Sequence, residues 1–161
     1  SNVALQYAQN AEKLKPLITN ERFGYLFDTL YKLCMVLSIK YDLGVKTREV
    51  YLSKDKVAIK KIVESYTDLL NALDEFYYSY RNQWNIENKP HGFDVQDIRI
   101  GGLYFRTRHC KEILEDFISG NIEKIPELEE MVLNPFLGSY LEKNKTFWFN
   151  NWNSNVTTNV L

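Results

Sequence analysis

The chain has 161 residues, of which 45% are hydrophobic and 25% charged, proportions typical of one folded globular domain and not of a disordered chain. Its 20 basic residues are matched by 21 acidic ones, and a net charge of -1 gives no electrostatic basis for binding nucleic acid or an anionic membrane. No apolar run approaches the roughly 20 residues that a membrane-spanning helix needs.

The N-terminal third of the chain is predicted to form two helices. The first covers about Val3 to Ile18, and Asn20 is a suitable N-cap for the second because its side chain can accept a free helix amide. Apolar residues of the second helix recur three and four positions apart, which is the spacing of one helix face. They are Phe23, Leu26, Phe27, Leu30, Leu33, Cys34, Leu37 and Tyr41. Gly44 is expected to end this helix as a left-handed C-cap.

The third helix is predicted to be the longest element. Ser53 or Asp55 caps its start, and it continues through Trp84 until Pro90 stops it. Its apolar residues alternate strictly at three and four positions, a heptad seam that suits a near-antiparallel neighbour at a shallow angle. They are Ile59, Ile62, Tyr66, Leu69, Leu73, Phe76 and Tyr80. At about 1.5 Å per residue the helix would be about 50 Å long.

A fourth helix is predicted after the loop at residues 89–93. Asp94 is expected to cap it, with Asp97 in its first turn, where a carboxylate meets free amides and the positive end of the helix dipole. Gly120 is expected to mark its end. Because apolar residues occupy a wide arc of this helix, we expect it to be covered on more than one side.

The C-terminal part lacks a long helical pattern. Pro126 and Pro135 break it into short segments, and the tail from Lys143 carries the aromatic residues Phe147, Trp148, Phe149 and Trp152. No segment has a convincing strand pattern. The sequence therefore predicts a single all-α domain over residues 1–161, a multi-helix bundle built on two long helices with an irregular, aromatic-rich tail. Residues 1–2 resemble a cloning remnant in front of a domain excised from a larger protein.

The residues that could carry chemistry do not form a recognisable active site. Asp74 and Glu75 are neighbours on a helix, point about 100° apart and are interpreted as part of a solvated face. The two cysteines are interpreted as free, buried thiols suited to a reducing, cytoplasmic compartment. Together with the two histidines they are too few and too far apart for a metal site: Cys34, Cys110, His91 and His109. We therefore predict no catalytic residue, no metal and no cofactor.

Two glycines inside the fourth helix suggest close packing. Gly101 and Gly102 would cost roughly 1 kcal/mol each relative to alanine, which favours the close approach of another helix or a bulky ring. Arg99 and Arg106 share a helix face beside them. Two interpretations of these arginines stay open: a contact to a partner domain or a sugar, or ion pairs that lock the preceding turn through Glu87, Asp94 or Asp97.

The stretch from Trp84 to Glu130 carries an ordered set of short motifs. They are Trp84, Glu87-Asn88-Lys89-Pro90, Gly92-Phe93, Asp97-Ile98-Arg99, Gly101-Gly102-Leu103, Arg106, Gly120 and Ile125-Pro126-Glu127-Leu128-Glu129. This stretch, about a third of the chain, resembles the C-terminal helical domain of a subgroup of glycoside hydrolase family 20, the bacterial exo-β-N-acetylhexosaminidases.

The resemblance implies an accessory role. In that family a (β/α)8 barrel, which this chain lacks, removes terminal N-acetylhexosamines with a neighbouring Asp-Glu pair, and Asp74-Glu75 inherits nothing from it. We expect a non-catalytic domain that packs on the parent enzyme's barrel, covers one side of its active-site mouth and supports a homodimer. The residues expected to form either a structural corner or an interdomain contact are Trp84, Glu87, Asn88, Asp97, Arg99, Gly101, Gly102 and Arg106.

Two other classes of function were weighed against this one. The chain could be an independent helical module that binds another protein through its aromatic tail, or a self-sufficient enzyme, for which the sequence offers no machinery. A barrel-coding sequence directly upstream would separate an accessory domain from an independent module. The preference for N-acetylglucosamine or N-acetylgalactosamine stays open.

Overall fold

The computed structural model describes residues 2–130, and every regular element in that range is helical. The elements are α1 (Asn2–Leu14), a 3-10 helix (Lys15–Thr19), α2 (Gly24–Leu52), α3 (Lys56–Glu87), α4 (Phe93–Ser119) and α5 (Pro126–Glu129). The prediction of an all-α, multi-helix bundle built on two long helices is confirmed. The interpretations of Pro135 and the aromatic tail concern residues outside the described range.

The first helical segment changes from an α-helix to a 3-10 helix next to Pro16. This proline has no amide hydrogen and sits at the start of the 3-10 helix, which occupies the last part of the segment predicted as α-helix. The Asn20 side-chain oxygen then accepts the Phe23 amide at 2.8 Å. Asn20 therefore caps the turn that leads into α2, while α2 itself begins at Gly24.

The prediction that Gly44 ends the second helix is wrong. Its backbone is not left-handed, and α2 continues to Leu52. The continuation buries Thr47 and Tyr51, the latter completely. Burial of a large aromatic side chain outweighs the roughly 1 kcal/mol that a mid-helix glycine costs, so tertiary packing overrides the local signal at this position.

The third helix forms as the heptad seam predicts. Asp55 is its N-cap, because a side-chain oxygen of Asp55 accepts the amides of Val57 and Ala58 at 2.9 and 3.2 Å. The helix ends at Glu87, shortly before Pro90. Five seam residues are buried: Ile59, Ile62, Tyr66, Leu69 and Leu73.

The long helices lie side by side: α1 packs on α2, α2 on α3, and α3 on α4. The core between them is apolar, with two buried hydroxyl pairs that join α2 to α3. Thr29 lies 3.2 Å from the Ser79 hydroxyl, and Thr47 lies 3.1 Å from the Tyr66 hydroxyl. No buried side-chain nitrogen or oxygen in the described part of the chain lacks a hydrogen-bond partner.

The segment after α4 returns to α2. The buried Tyr51 hydroxyl accepts the Ile125 amide at 2.9 Å and donates to the Glu129 carboxylate at 2.6 Å. Arg48 donates to the carbonyl oxygens of Leu128 and Glu130 at 3.1 and 2.7 Å. Side chains of α2 thus hold the last described turn, α5, against the bundle.

Both ends of α4 are set by left-handed glycines. Gly120, with φ of 83°, ends the helix as predicted. At the other end, Gly92 with φ of 95° is the N-cap, which corrects the prediction that Asp94 caps the helix. Asp94 lies in the first turn instead. A glycine adopts this conformation without the steric cost that a side chain would add.

Candidate interdomain surface

The corner between α3 and α4 is held by aromatic packing. The Trp84 indole nitrogen donates to the Lys89 carbonyl oxygen at 2.9 Å, across the loop that reverses the chain. The Trp84 ring lies 5.7 Å from the ring of Phe93, which is buried. Asn88 is the C-cap of α3, and its amide bonds to the Trp84 carbonyl oxygen at 2.8 Å. Trp84 therefore joins the end of α3, the loop and the start of α4.

The carboxylates near the corner bind neutral hydroxyl donors. Glu87 accepts the Tyr25 hydroxyl of α2 at 3.3 Å, and Asp97 accepts the Tyr77 hydroxyl of α3 at 2.9 Å. Partial burial and this bond to Asp97 raise the pKa of Tyr77, which keeps the phenol protonated as a donor. Arg99 makes no ion pair or hydrogen bond within residues 2–130. Among the described residues, the corner is therefore not locked by the arginine.

Arg106 lies two turns further along α4 and has a partner in the sequence after the helix. Its guanidinium donates to the Glu127 carboxylate at 2.9 Å, and both side chains are more than half exposed. This pair lowers the pKa of Glu127. Arg106 thus links α4 to α5, and it makes no ion pair with the acidic residues of the corner in the described structure.

Between Ile98 and Phe105, the side of α4 opposite the core is apolar, and no described residue covers it. Ile98 and Phe105, which share this face at helical spacing, are 40% and 65% exposed. Gly101 and Gly102 lie between them, and a Cβ atom built on either glycine would meet nothing within 4 Å. We call these four residues the α4 outer face. The close neighbour that the glycine pair predicts is absent from the described part of this chain.

A cleft of about 370 Å³ opens beside the α4 outer face, between α3 and α4. Gly101 and Phe105 belong to both the cleft and the outer face. The cleft combines aromatic and aliphatic walls with two carboxylates, and its lining is Leu73, Asp74, Tyr77, Asp97, Ile100, Gly101, Tyr104 and Phe105. Its carboxylate and aromatic character was not predicted from the sequence, because Asp74 and Asp97 are 23 residues apart and only the α3–α4 packing brings them to one cleft.

The adjacent carboxylates Asp74 and Glu75 do not converge on one site. Asp74 lines the α3–α4 cleft, whereas Glu75 lines a separate groove between α2 and α3. Over residues 2–130, no three histidine, cysteine or carboxylate side chains are grouped to hold a metal ion. None of the described helices is long and apolar enough to cross a membrane.

Comparison with protein families gives one assignment. A family model described as the Glycoside Hydrolase 20C C-terminal domain matches residues 1–148. The match extends well beyond the motif stretch from Trp84 to Glu130 and includes all four long helices. Comparison with curated proteins gives no match.

Proposed function

The chain belongs to the glycoside hydrolase 20C C-terminal domain family, and from this membership we propose that it is a non-catalytic domain that packs through the α4 outer face against the catalytic domain of its parent enzyme. The parent reaction under this proposal is the release of terminal N-acetylhexosamines from glycans. The reacting groups then belong to the catalytic barrel, and this domain shapes one side of the active-site mouth.

The observation that carries the proposal is the pair of glycines that face open space on an apolar helix side. Two helix-interior glycines lower helix stability by roughly 1 kcal/mol each, and no residue from 2 to 130 packs against them. Two exposed apolar residues flank them. A backbone that is bare between apolar side chains permits close approach of another element, and a neighbouring domain of the same enzyme supplies one.

Arg99 belongs to the same proposal. It extends from α4 beside the glycine pair, and within residues 2–130 no carboxylate holds it. Of the two interpretations left open by the sequence, the contact with a partner domain is therefore favoured over the charge-locked corner. An arginine at a domain boundary can bind a carboxylate or backbone carbonyls with its planar fork.

The test introduces a side chain at the glycine pair. Gly102→Leu should leave the isolated domain within about 1 kcal/mol of the parent sequence, because space is open there. In the full-length enzyme it should separate the two domains, lower the melting temperature of the helical domain and expose Phe105 to hydroxyl-radical footprinting. Gly44→Leu is the matched control, because Gly44 is also mid-helix with open space around it but lies on α2. Equal effects of the two variants on the full-length enzyme would refute the proposal.

Arg99→Lys gives a second, independent comparison. It should leave the isolated domain unchanged within about 0.5 kcal/mol, as expected for a surface change that breaks no bond. In the full-length enzyme it should weaken domain docking, since lysine keeps the charge but lacks the planar guanidinium that can donate two parallel hydrogen bonds. Destabilisation of the isolated domain by this substitution would instead support a structural role for Arg99 in the corner.

The proposal has two further parts, a homodimer and a cytoplasmic location. Support of a homodimer stays a prediction, checked by sedimentation of the isolated domain and of the full-length enzyme. A cytoplasmic location also stays a prediction, and it is supported by the free, half-buried thiols of Cys34 and Cys110, which suit a reducing compartment.

A further inference from the structure

The α3–α4 cleft contains two carboxylates, Asp74 and Asp97, that form no ion pair with a described cation. Asp74 makes no ion pair or hydrogen bond within residues 2–130, and Asp97 accepts only the neutral Tyr77 hydroxyl. Arg81, also on α3, has its guanidinium 5.9 Å and 5.7 Å from the ring centres of Tyr77 and Tyr78. Arg81 forms no ion pair with either carboxylate in the described structure. The cleft is therefore acidic where it meets the α4 outer face.

Aromatic rings line the same cleft. Tyr104 and Phe105 pack edge to face, with ring centres 5.8 Å apart, and Tyr77 stands on the opposite helix. A guanidinium binds favourably over an aromatic face, and it can bond a carboxylate with its edge at the same time. The combination of acidic groups and aromatic rings thus suits an arginine better than a lysine, whose ammonium group is compact and strongly hydrated.

The surroundings of the cleft favour a protein occupant. Phe105 forms part of the cleft wall and is 65% exposed, and the apolar surface continues from it to Ile98. A single sugar or free amine in the cleft would leave this apolar surface in water. A protein segment that covers the α4 outer face and inserts a side chain beside it would bury both.

From this geometry we infer that the α3–α4 cleft is the seat of an arginine side chain from the catalytic domain, bound by Asp74 and Asp97 between the rings of Tyr104 and Tyr77. The inference rests on the proposed function, because it requires the catalytic domain to dock on α4. It adds the chemistry of the contact: a basic anchor enters an acidic, aromatic cleft, and apolar residues around the anchor cover the glycine pair. Such an anchor would fix the orientation of the two domains.

Carboxylate labelling tests the inference directly. Carbodiimide-mediated coupling of glycine ethyl ester, read by mass spectrometry, is compared between the isolated domain and the full-length enzyme. Asp74 should label at least about tenfold more slowly in the full-length enzyme, because a buried charge pair there would be costly to open. Glu75 is the matched control: it is one residue away but lines the groove between α2 and α3, so its labelling should be equal in both proteins.

Equal labelling of Asp74 in the two proteins would overturn the inference. Equal protection of Asp74 and Glu75 would also overturn it, because the catalytic domain would then shield both grooves and not the α3–α4 cleft in particular. Phe105 footprinting separates this failure from failure of the proposed function. If Phe105 is protected in the full-length enzyme while Asp74 is not, docking on α4 stands without the arginine. If Phe105 stays exposed, the docking proposal itself falls.

Variants give a second readout. Asp74→Asn combined with Asp97→Asn removes both charges, while the asparagine at 97 can still accept the Tyr77 hydroxyl. In the full-length enzyme this double variant should raise the footprinting rate of Phe105, and Glu75→Gln should not. Unchanged or lower Phe105 reactivity in the double variant would contradict an arginine anchor, because the carboxylates would then contribute nothing to docking or would oppose it.

Discussion

Helix glycines in different surroundings have opposite predicted effects on stability. A Cβ atom at Gly24 would clash with the Ile18 carbonyl oxygen, whereas at Gly102 it would meet no described atom within 4 Å. Gly24→Ala should therefore destabilise the isolated domain by about 1–3 kcal/mol, and Gly102→Ala should stabilise it by about 0.5–1 kcal/mol. Urea unfolding of the two variants measures both, and Gly44→Ala is the control for helix propensity alone. Destabilisation by Gly102→Ala would show that an element of this chain packs on the pair.

The Glu129 carboxylate should make stability depend on pH. The hydrogen bond from Tyr51 lowers the pKa of Glu129, and Lys54, 3.5 Å away, lowers it further. A carboxyl group with a lowered pKa stabilises the fold above the ordinary value of about 4.3, and this contribution is lost as pH falls through the lowered value. The urea midpoint of the parent sequence should therefore exceed that of Glu129→Gln at neutral pH.

The two midpoints should converge in acid, where the protonated glutamate resembles glutamine. Glu64→Gln, on the exposed side of α3, is the control and should follow the parent sequence at every pH. A gap between parent and Glu129→Gln that persists below the lowered pKa would mean that the substitution acts through packing and not through the charge of Glu129.

At the scale of secondary structure elements, the α3–α4 corner should depend on Gly92 and Trp84. Gly92 has φ of 95°, and a Cβ atom there would lie 3.5 Å from the Trp84 ring, which is ordinary contact. Gly92→Ala should therefore cost about 1–2 kcal/mol from backbone strain alone. Trp84→Phe removes the indole donor to Lys89 and should cost about 0.5–1.5 kcal/mol for the hydrogen bond, plus lost packing. Thermal unfolding of the isolated domain measures both.

Gly120→Ala provides a comparison for the corner, because Gly120 has a similar φ of 83° with open space around it. Its cost should match that of Gly92→Ala if backbone strain dominates at both positions. A much larger cost at Gly92 would show that the ring of Trp84 cannot give way, and a negligible cost at both would contradict the strain argument.

The elements were predictable where a repeating apolar pattern coincided with a capping residue. The seam of α3, its cap at Asp55 and its end before Pro90 follow from the sequence because each depends on residues close in the chain. The end of α2 could not be predicted in the same way. Gly44 has the local signature of a helix end, but the burial of Tyr51 in a core built by distant residues decides the outcome.

The candidate site was predictable only in part, for a similar reason. The motif stretch contains Trp84, Glu87 and the glycine pair, which lie at the α3–α4 corner and on the α4 outer face. Their partners could not be inferred, because Tyr25 reaches Glu87 and Tyr77 reaches Asp97 only through the packing of separate helices. The cleft likewise arises from the α3–α4 contact, and no spacing within either helix indicates it.

At the scale of the whole molecule, the isolated domain should be inert on aryl N-acetyl-β-glucosaminides. Asp74 and Glu75 line different grooves, and Asp97, which shares the α3–α4 cleft with Asp74, accepts the Tyr77 hydroxyl. The neighbouring Asp74 and Glu75 therefore cannot act together on one substrate. The measurement is release of nitrophenol by the purified domain, with the full-length enzyme as the positive control. Turnover by the domain that disappears in Asp74→Asn or Glu75→Gln would contradict the assignment of all chemistry to another domain.

The two buried hydroxyl pairs between α2 and α3 have a mechanical consequence. A heptad seam alone would tolerate a slide of seven residues, about 10 Å along the helix axis, with similar apolar contacts. Such a slide would separate Thr29 from Ser79 and Thr47 from Tyr66. The threonine hydroxyls would keep their bonds to carbonyl oxygens of α2, but the Ser79 and Tyr66 hydroxyls would lose their partners, at a cost of about 1–3 kcal/mol each. The two pairs therefore fix the register of α2 against α3. We therefore expect a displacement at the α3–α4 corner to move α2 and α3 together, without sliding one helix along the other.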